Sequence, residues 1–355
     1  MAGWAFLCDS NASTPPRVPD DDPALYRHSN DRWGAVGRRT PPASVGKSHP
    51  RVFCTVYGKP GMRVVIDGVP IRGMSVGIVV EHLLRGFEEL GAGDEIHLVV
   101  GPSAEIAIPD SVTVHTSDPR VPVGRRVVAQ SLVVPRVARQ VKADVVLGVT
   151  PATTMTPLPC PRALIVYDMR HELRPEQFPT RYRLMRTLSY DIGYFQADAI
   201  ACISGRTKRD LLAAHPRLRN RLVEVTYLGG DHVRQWPPAA QGGERYAIAF
   251  GQYANKNVDL VIDAWAILAA LEETLPLVVT GLNPEALDHV AARISQLGLA
   301  DLVIPLPWLP IAELRQRFAG AALVVYPSDF EGFGLPAVEA MQLGIPLVIC
   351  ARKRV

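Results

Sequence analysis

From Met62 onward the chain alternates short apolar, β-branched runs with stretches of helical period. Runs at 63–69, 95–100, 144–149, 163–168, 199–204 and 223–229 predict strands, and stretches near 76–90, 123–141, 180–197 and 207–214 predict helices. A second alternation opens at Tyr246, with strands at 246–251, 275–281, 303–306, 323–328 and 346–350 and helices at 258–271, 284–297, 311–319 and 336–343. Strand, helix, strand in this order specifies parallel sheets covered on both faces, so the fold class is α/β. Residues 233–244 break the pattern with Pro, Gly and Gln and read as a linker, dividing the chain into domains 62–238 and 239–355. Residues 1–61 are rich in Pro, Arg, Asp and Ser, show neither period, and read as a disordered leader that contributes nothing to the fold.

Composition narrows the function classes. At 355 residues the chain has room for two cores, and 48% apolar against 21% charged residues is the balance of a globular protein. A net charge of +3 is too small to argue for nucleic acid. No run of about 18 apolar residues predicts a membrane span, and the first residues lack the basic, then apolar, order of a signal peptide. Five scattered cysteines without a C-x-x-C pair predict reduced thiols and a cytoplasmic chain. Asp20, Asp21 and Asp22 imitate a metal-binding D-x-D but stand outside any strand-ended site, so neither metal nor cofactor is expected.

The densest chemistry lies at 326–341, Tyr-Pro-Ser-Asp-Phe-Glu-Gly-Phe-Gly-Leu-Pro-Ala-Val-Glu-Ala-Met. The apolar run 323–326, Pro336 in a first helical turn and Gly344 as a stop give strand, turn, helix. Backbone amides of Gly332, Phe333, Gly334 and Leu335 then stand at the positive end of a helix, where an anionic phosphate is favoured. Glu331 lies in the turn and Glu339 one turn into the helix, two carboxylates able to accept hydrogen bonds from sugar hydroxyls. The plain alternative is an ordinary strand-turn-helix connection with Glu339 in solvent.

With its flanking residues this run resembles the E-x7-E signature of retaining glycosyltransferases of family 4. The resemblance implies a GT-B fold of two facing Rossmann-like domains with a cleft between them. It implies that Glu331 and Lys256 serve catalysis, with Glu339, residues 332–335, Gly251 and Trp308 holding the donor. Members carry a basic pair after the strand that ends at Gly251; Lys256 matches one member, whereas the other position holds Gln252. Gly73 and Gly77 resemble the loop through which acceptor and donor phosphate approach the backbone; a P-loop is ruled out by Met74 at the lysine position. Asp168 ends a strand at the mouth of the first sheet, and where members place His before it this chain has Tyr167, leaving His171 as the candidate. The landmarks Ser204 to Leu211 and Gly229 to Asp231 read as caps and turns.

The implied activity is transfer of a hexose from a nucleotide-diphosphate sugar, GDP-mannose or similar, to a glycan or lipid-linked acceptor with retention and without metal. Bacterial mannosyl- and rhamnosyltransferases are the resembled members. A sugar-nucleotide epimerase and a non-catalytic nucleotide-binding relative are the alternatives. Arginines at 120, 125, 126, 136 and 139, and again at 170, 174, 181, 183 and 186, add an expectation of peripheral contact with an anionic membrane, a solvated face being the plainer reading. Members continue beyond the position of Val355 through elements that include a helix crossing back to the first domain, which implies an incomplete second domain and weak transfer by this chain.

Overall fold

The computed structural model describes residues 6–8, 61–71, 74–91, 93–101, 104, 106–117, 126–237, 245–271 and 274–350. Its strands are β1 (Phe6–Cys8), β2 (Arg63–Gly68), β3 (Glu95–Val100), β4 (Thr113–Thr116), β5 (Val145–Gly148), β6 (Arg162–Val166), β7 (Ala199–Cys202), β8 (Leu222–Val225), β9 (Ala247–Phe250), β10 (Leu277–Leu282), β11 (Val303–Pro307), β12 (Leu323–Tyr326) and β13 (Leu347–Cys350). They form two sheets, ordered β4-β3-β2-β5-β6-β7-β8 and β1-β13-β12-β9-β10-β11. Every pairing in both is parallel. The fold is thus α/β with two Rossmann-like domains.

Both faces of each sheet are buried, and the period of two along a strand sends successive residues to opposite cores. Val64 and Ile66 pack with Leu84 and Leu98, while Val65 packs with Val134 and Val146. In the second sheet Ala247 and Ala249 meet Ile262 and Trp265, whereas Ile248 and Phe250 meet Phe318 and Tyr326. Each fully buried Leu or Ile contributes about 1.5–3 kcal/mol, so a charge at Ile66 or Ile248 would open a whole layer. Chain order reverses in each sheet at one place, between β2 and β5 and between β9 and β12. Loops leaving the carboxyl ends of those strands diverge and open a crevice.

Several predicted elements are trimmed for local reasons. The strand predicted to reach residue 168 stops at Val166, because Asp168 Oδ1 accepts the Arg170 amide at 3.0 Å and starts the short helix Arg170–Leu173. That predicted to reach 204 stops at Cys202, since Ser204 caps the helix Gly205–Ala214 by accepting the Thr207 amide. β4 had no sequence signal, being a polar, mostly exposed edge strand. The reading of the leader is corrected at Phe6–Cys8, an apolar tripeptide that pairs with β13 at the sheet edge; residues 1–5 and 9–60, Asp20 to Asp22 included, lie outside the described residues. The predicted linker also starts too early. Residues 231–235 form a 3-10 turn with His232 and Val233 buried, and Trp236 meets the Phe318 ring edge-on at 5.3 Å. No helix among the described residues is long and apolar enough to cross a membrane.

Candidate functional site

β9 and β12 lie side by side, Leu323 opposite Ala247 and Val325 opposite Ala249, so the loops leaving them occupy one place at the chain reversal of the second sheet. From the β9 loop come Asn255 and Lys256, both buried. Lys256 Nζ donates to Glu331 Oε1 at 2.7 Å and to Tyr326 Oη at 2.6 Å, and sits 4.4 Å from the Tyr326 ring centroid. Asn255 Nδ2 donates to Glu331 Oε1 at 3.1 Å and to the Phe330 carbonyl at 2.8 Å. Ser328 Oγ donates to the same Oε1 at 2.5 Å. Three donors therefore converge on one oxygen of Glu331, Oε1. Burial lowers the Lys256 pKa, while the Glu331 carboxylate opposes that shift.

The helix Leu335–Gln342 begins immediately after this carboxylate. Gly334 caps it at φ +90°, a conformation that glycine adopts without strain, and Pro336 fills the first turn. The amides of residues 332–335 have no backbone acceptor among the described residues. Glu339 is buried and accepts from His232 Nε2 at 2.7 Å through Oε1. Gly251 ends β9 where a Cβ would stand 2.3 Å from Leu282 Cδ2, so its smallness serves the packing of β9 on β10. Phe333 lies 6.5 Å from the Tyr227 ring, and Trp308 is half-exposed beyond β11.

The first domain touches this turn directly. A Cβ on Gly332 would stand 2.0 Å from the Tyr167 carbonyl oxygen and 3.3 Å from Asp168 Cβ, so only glycine allows that approach. Ser204 Oγ donates to the Gly332 carbonyl at 2.5 Å, and Thr207 Oγ1 donates to the Tyr167 carbonyl at 3.0 Å. Arg170 Nη1 reaches Asn255 Oδ1 at 2.5 Å, and Arg174 Nη2 pairs with Asp329 at 3.4 Å. The structure thus brings Asp168 and Glu331 to the two sides of one junction.

Other predicted site residues fall elsewhere. His171 is corrected: it is buried inside the first domain, its ring 5.0 Å from Tyr190 in an edge contact and its Nε2 3.4 Å from Glu172. Burial and the nearby Arg186 charge push its pKa down to about 4, so it is a neutral packing ring. Gly77 is corrected also, lying within the helix Met74–Leu90 rather than in a loop, where an added Cβ would stand 3.1 Å from Ile106 Cγ2. Gly73 lies outside the described residues. Sequence reasoning missed Asn255 and Ser328 as holders of Glu331 and Tyr326 as a partner of Lys256. Arg170 and His232 carried no readable signal, because their partners are 85 and 107 positions away.

Comparison with known proteins agrees with this geometry. Residues 234–354 match the family described as glycosyl transferases group 1. Over 139 residues the chain is 34% identical to mannosylfructose-phosphate synthase of Agrobacterium fabrum, covering 37% of this chain and 30% of that protein. It is 32% identical over 116 residues to O-antigen chain mannosyltransferase B of Escherichia coli, covering 30% of each. The matched stretch thus spans under a third of either curated relative's length. Among solved structures, WaaG, a glycosyltransferase involved in lipopolysaccharide biosynthesis, superposes with a TM-score of 0.60 at 16% identity over 81% of this chain and 80% of its own. The two-domain α/β fold is shared with that glycosyltransferase structure, and the similarity to glycosyl transferases group 1 lies in the second domain.

Proposed function

We propose that this chain transfers a hexose from a nucleotide-diphosphate sugar, with mannose from GDP-mannose as the leading case, to a glycan or lipid-linked acceptor with retention of configuration. The observation that carries this reading is the anchored Glu331, its Oε1 held by Lys256, Asn255 and Ser328, directly before a helix whose first amides have no backbone acceptor among the described residues. The names of the two mannosyl-related relatives favour mannose.

In this reading the diphosphate lies on the amides of residues 332–335, and Lys256 neutralises charge that develops as the sugar leaves. Fixed donors aimed at a developing anion stabilise the transition state without reorganisation, so no divalent cation is needed. Glu331 Oε2 orients the sugar, and Glu339, with Oε1 held by His232, offers its second oxygen to the ribose. Asp168 faces the sugar from the first domain, and Trp308 stacks on the base. Peripheral membrane contact belongs to the same reading. The helices Arg126–Gln140 and Thr180–Gln196 expose Val128, Leu132, Leu184, Met185 and Leu188 among their arginines, a mixture suited to an anionic bilayer surface.

The test is incubation of the purified chain with GDP-mannose, GDP-rhamnose, UDP-glucose and UDP-galactose, with and without EDTA. Release of nucleoside diphosphate, insensitive to EDTA, supports the reading. Interconversion of free donors would point to an epimerase, and absence of both turnover and nucleotide binding in calorimetry would refute it.

A further inference from the structure

The cations around the junction differ in one respect. Lys256 is paired with Glu331, Arg174 with Asp329 and Arg206 with Asp210, each within hydrogen-bonding or ion-pair distance of a carboxylate. Arg170 stands among them in no ion pair among the described residues. Its Nη1 donates to the neutral amide oxygen of Asn255, its Nε is buried without a partner, and its Nη2 has no acceptor. The guanidinium is nevertheless held firmly, stacked 4.6 Å from the Tyr253 ring centroid and 5.2 Å from that of Phe178. Its charge is felt at Lys256, where it opposes protonation.

A cation fixed between two rings, with donors unspent and no carboxylate to balance it, is suited to an anion from outside the protein. Its place is the β9 loop of the opposite domain, one residue from Lys256, and Gln252 gives that loop no second positive charge. From this arrangement we infer that Arg170 is a phosphate-binding residue, delivered across the domain junction to the diphosphate of the nucleotide. The inference rests on the nucleotide-sugar reading above and adds that one of the phosphate-neutralising cations comes from the first domain. Because Asn255 also holds Glu331, Arg170 links the seating of the diphosphate to the orientation of that carboxylate.

Calorimetry on the full chain separates this from a structural role. GDP, UDP and ADP, each beside its parent nucleoside, would be titrated into the parent chain and into Arg170→Met. The expected result is a rise of at least about tenfold in Kd for the best nucleoside diphosphate, the loss of one charge-assisted contact. The Kd of its nucleoside should stay within about twofold. Equal changes for diphosphate and nucleoside, or no change in either, would overturn the inference while leaving the nucleotide-sugar reading in place. A parent chain that binds none of the three diphosphates would overturn both. Should Arg170→Met lose its fold, judged by thermal melting, Arg170→Gln carries the same comparison, since it removes the charge while retaining a donor for Asn255.

Discussion

The two domains share an architecture but spend their polar residues differently. In the second, Lys256, Asn255 and Ser328 converge from two adjacent loops on a single carboxylate at the sheet's point of chain reversal. At the corresponding place in the first, Asp67 is fully buried beside Gln130 Nε2 and Thr153 Oγ1, which donate at 3.0 and 3.1 Å, and the cluster ties the helix Arg126–Gln140 to the sheet. One half of the cleft holds charge ready for a ligand; the other consumes charge in holding itself together. The first domain meets the second through the edge that carries Asp168, Arg170 and Ser204.

If that contrast is right, the largest effect follows from removing the second domain's cation. Lys256→Met should lower the transfer rate by about a hundredfold to a thousandfold, as for one lost preorganised donor, with nucleoside affinity unchanged. Parent-like turnover in this variant would dissolve the distinction, leaving Lys256 a structural partner of Glu331. Next comes the contact between domains. Gly332→Ala places a methyl where the Tyr167 carbonyl oxygen lies 2.0 Å away, so the turn must retreat. A displacement of about 1 Å can cost about a hundredfold in rate, and single-turnover kinetics at saturating donor should show that loss. Similar rates in the two chains would mean that the junction seen here is not the reactive arrangement.

Glu339→Ala is the third in size. Losing one charge-assisted hydrogen bond, about 1.5–3 kcal/mol, should weaken nucleoside diphosphate binding about tenfold or more in calorimetry. His232→Ala should produce a smaller part of the same loss, since it frees Glu339 to rotate without removing it. Unchanged affinity in Glu339→Ala would assign this carboxylate to packing around His232 alone.

Legibility in the sequence followed the same division. The strand and helix alternation predicted nearly every element, because burial on both faces of a parallel sheet leaves uninterrupted apolar runs such as 64–66 and 247–250. It missed Thr113–Thr116, whose edge position demands no apolar residue, and Phe6–Cys8, whose strand exists only through a partner more than three hundred positions away. The donor half of the site was readable because its parts lie in two contiguous segments, 251–257 and 326–341. His171 misled because spacing from Asp168 says nothing about orientation; the short helix Arg170–Leu173 turns its ring inward to Tyr190. The same turn sends Arg170 outward across the junction, and only the assembled pair of domains reveals that.

The smallest predicted effect tests the first domain's self-held cluster. Complete burial raises the Asp67 pKa from 3.8 to about 6, against the opposing hydrogen bonds of Gln130 and Thr153. An acid whose folded pKa exceeds its unfolded value binds its proton more tightly in the native state, so its stabilising contribution is complete below 3.8 and is lost as pH rises through 6. Lowering pH from about 7 to about 5 should therefore add about 1 kcal/mol of stability from this group. Asp67→Asn, neutral at every pH, should lack that gain. Denaturant melts of both chains at the two pH values give the difference directly. Parallel slopes would show that Asp67 is ionised in the native state throughout, and the first domain would then hold a buried charge at its chain reversal, as the second does.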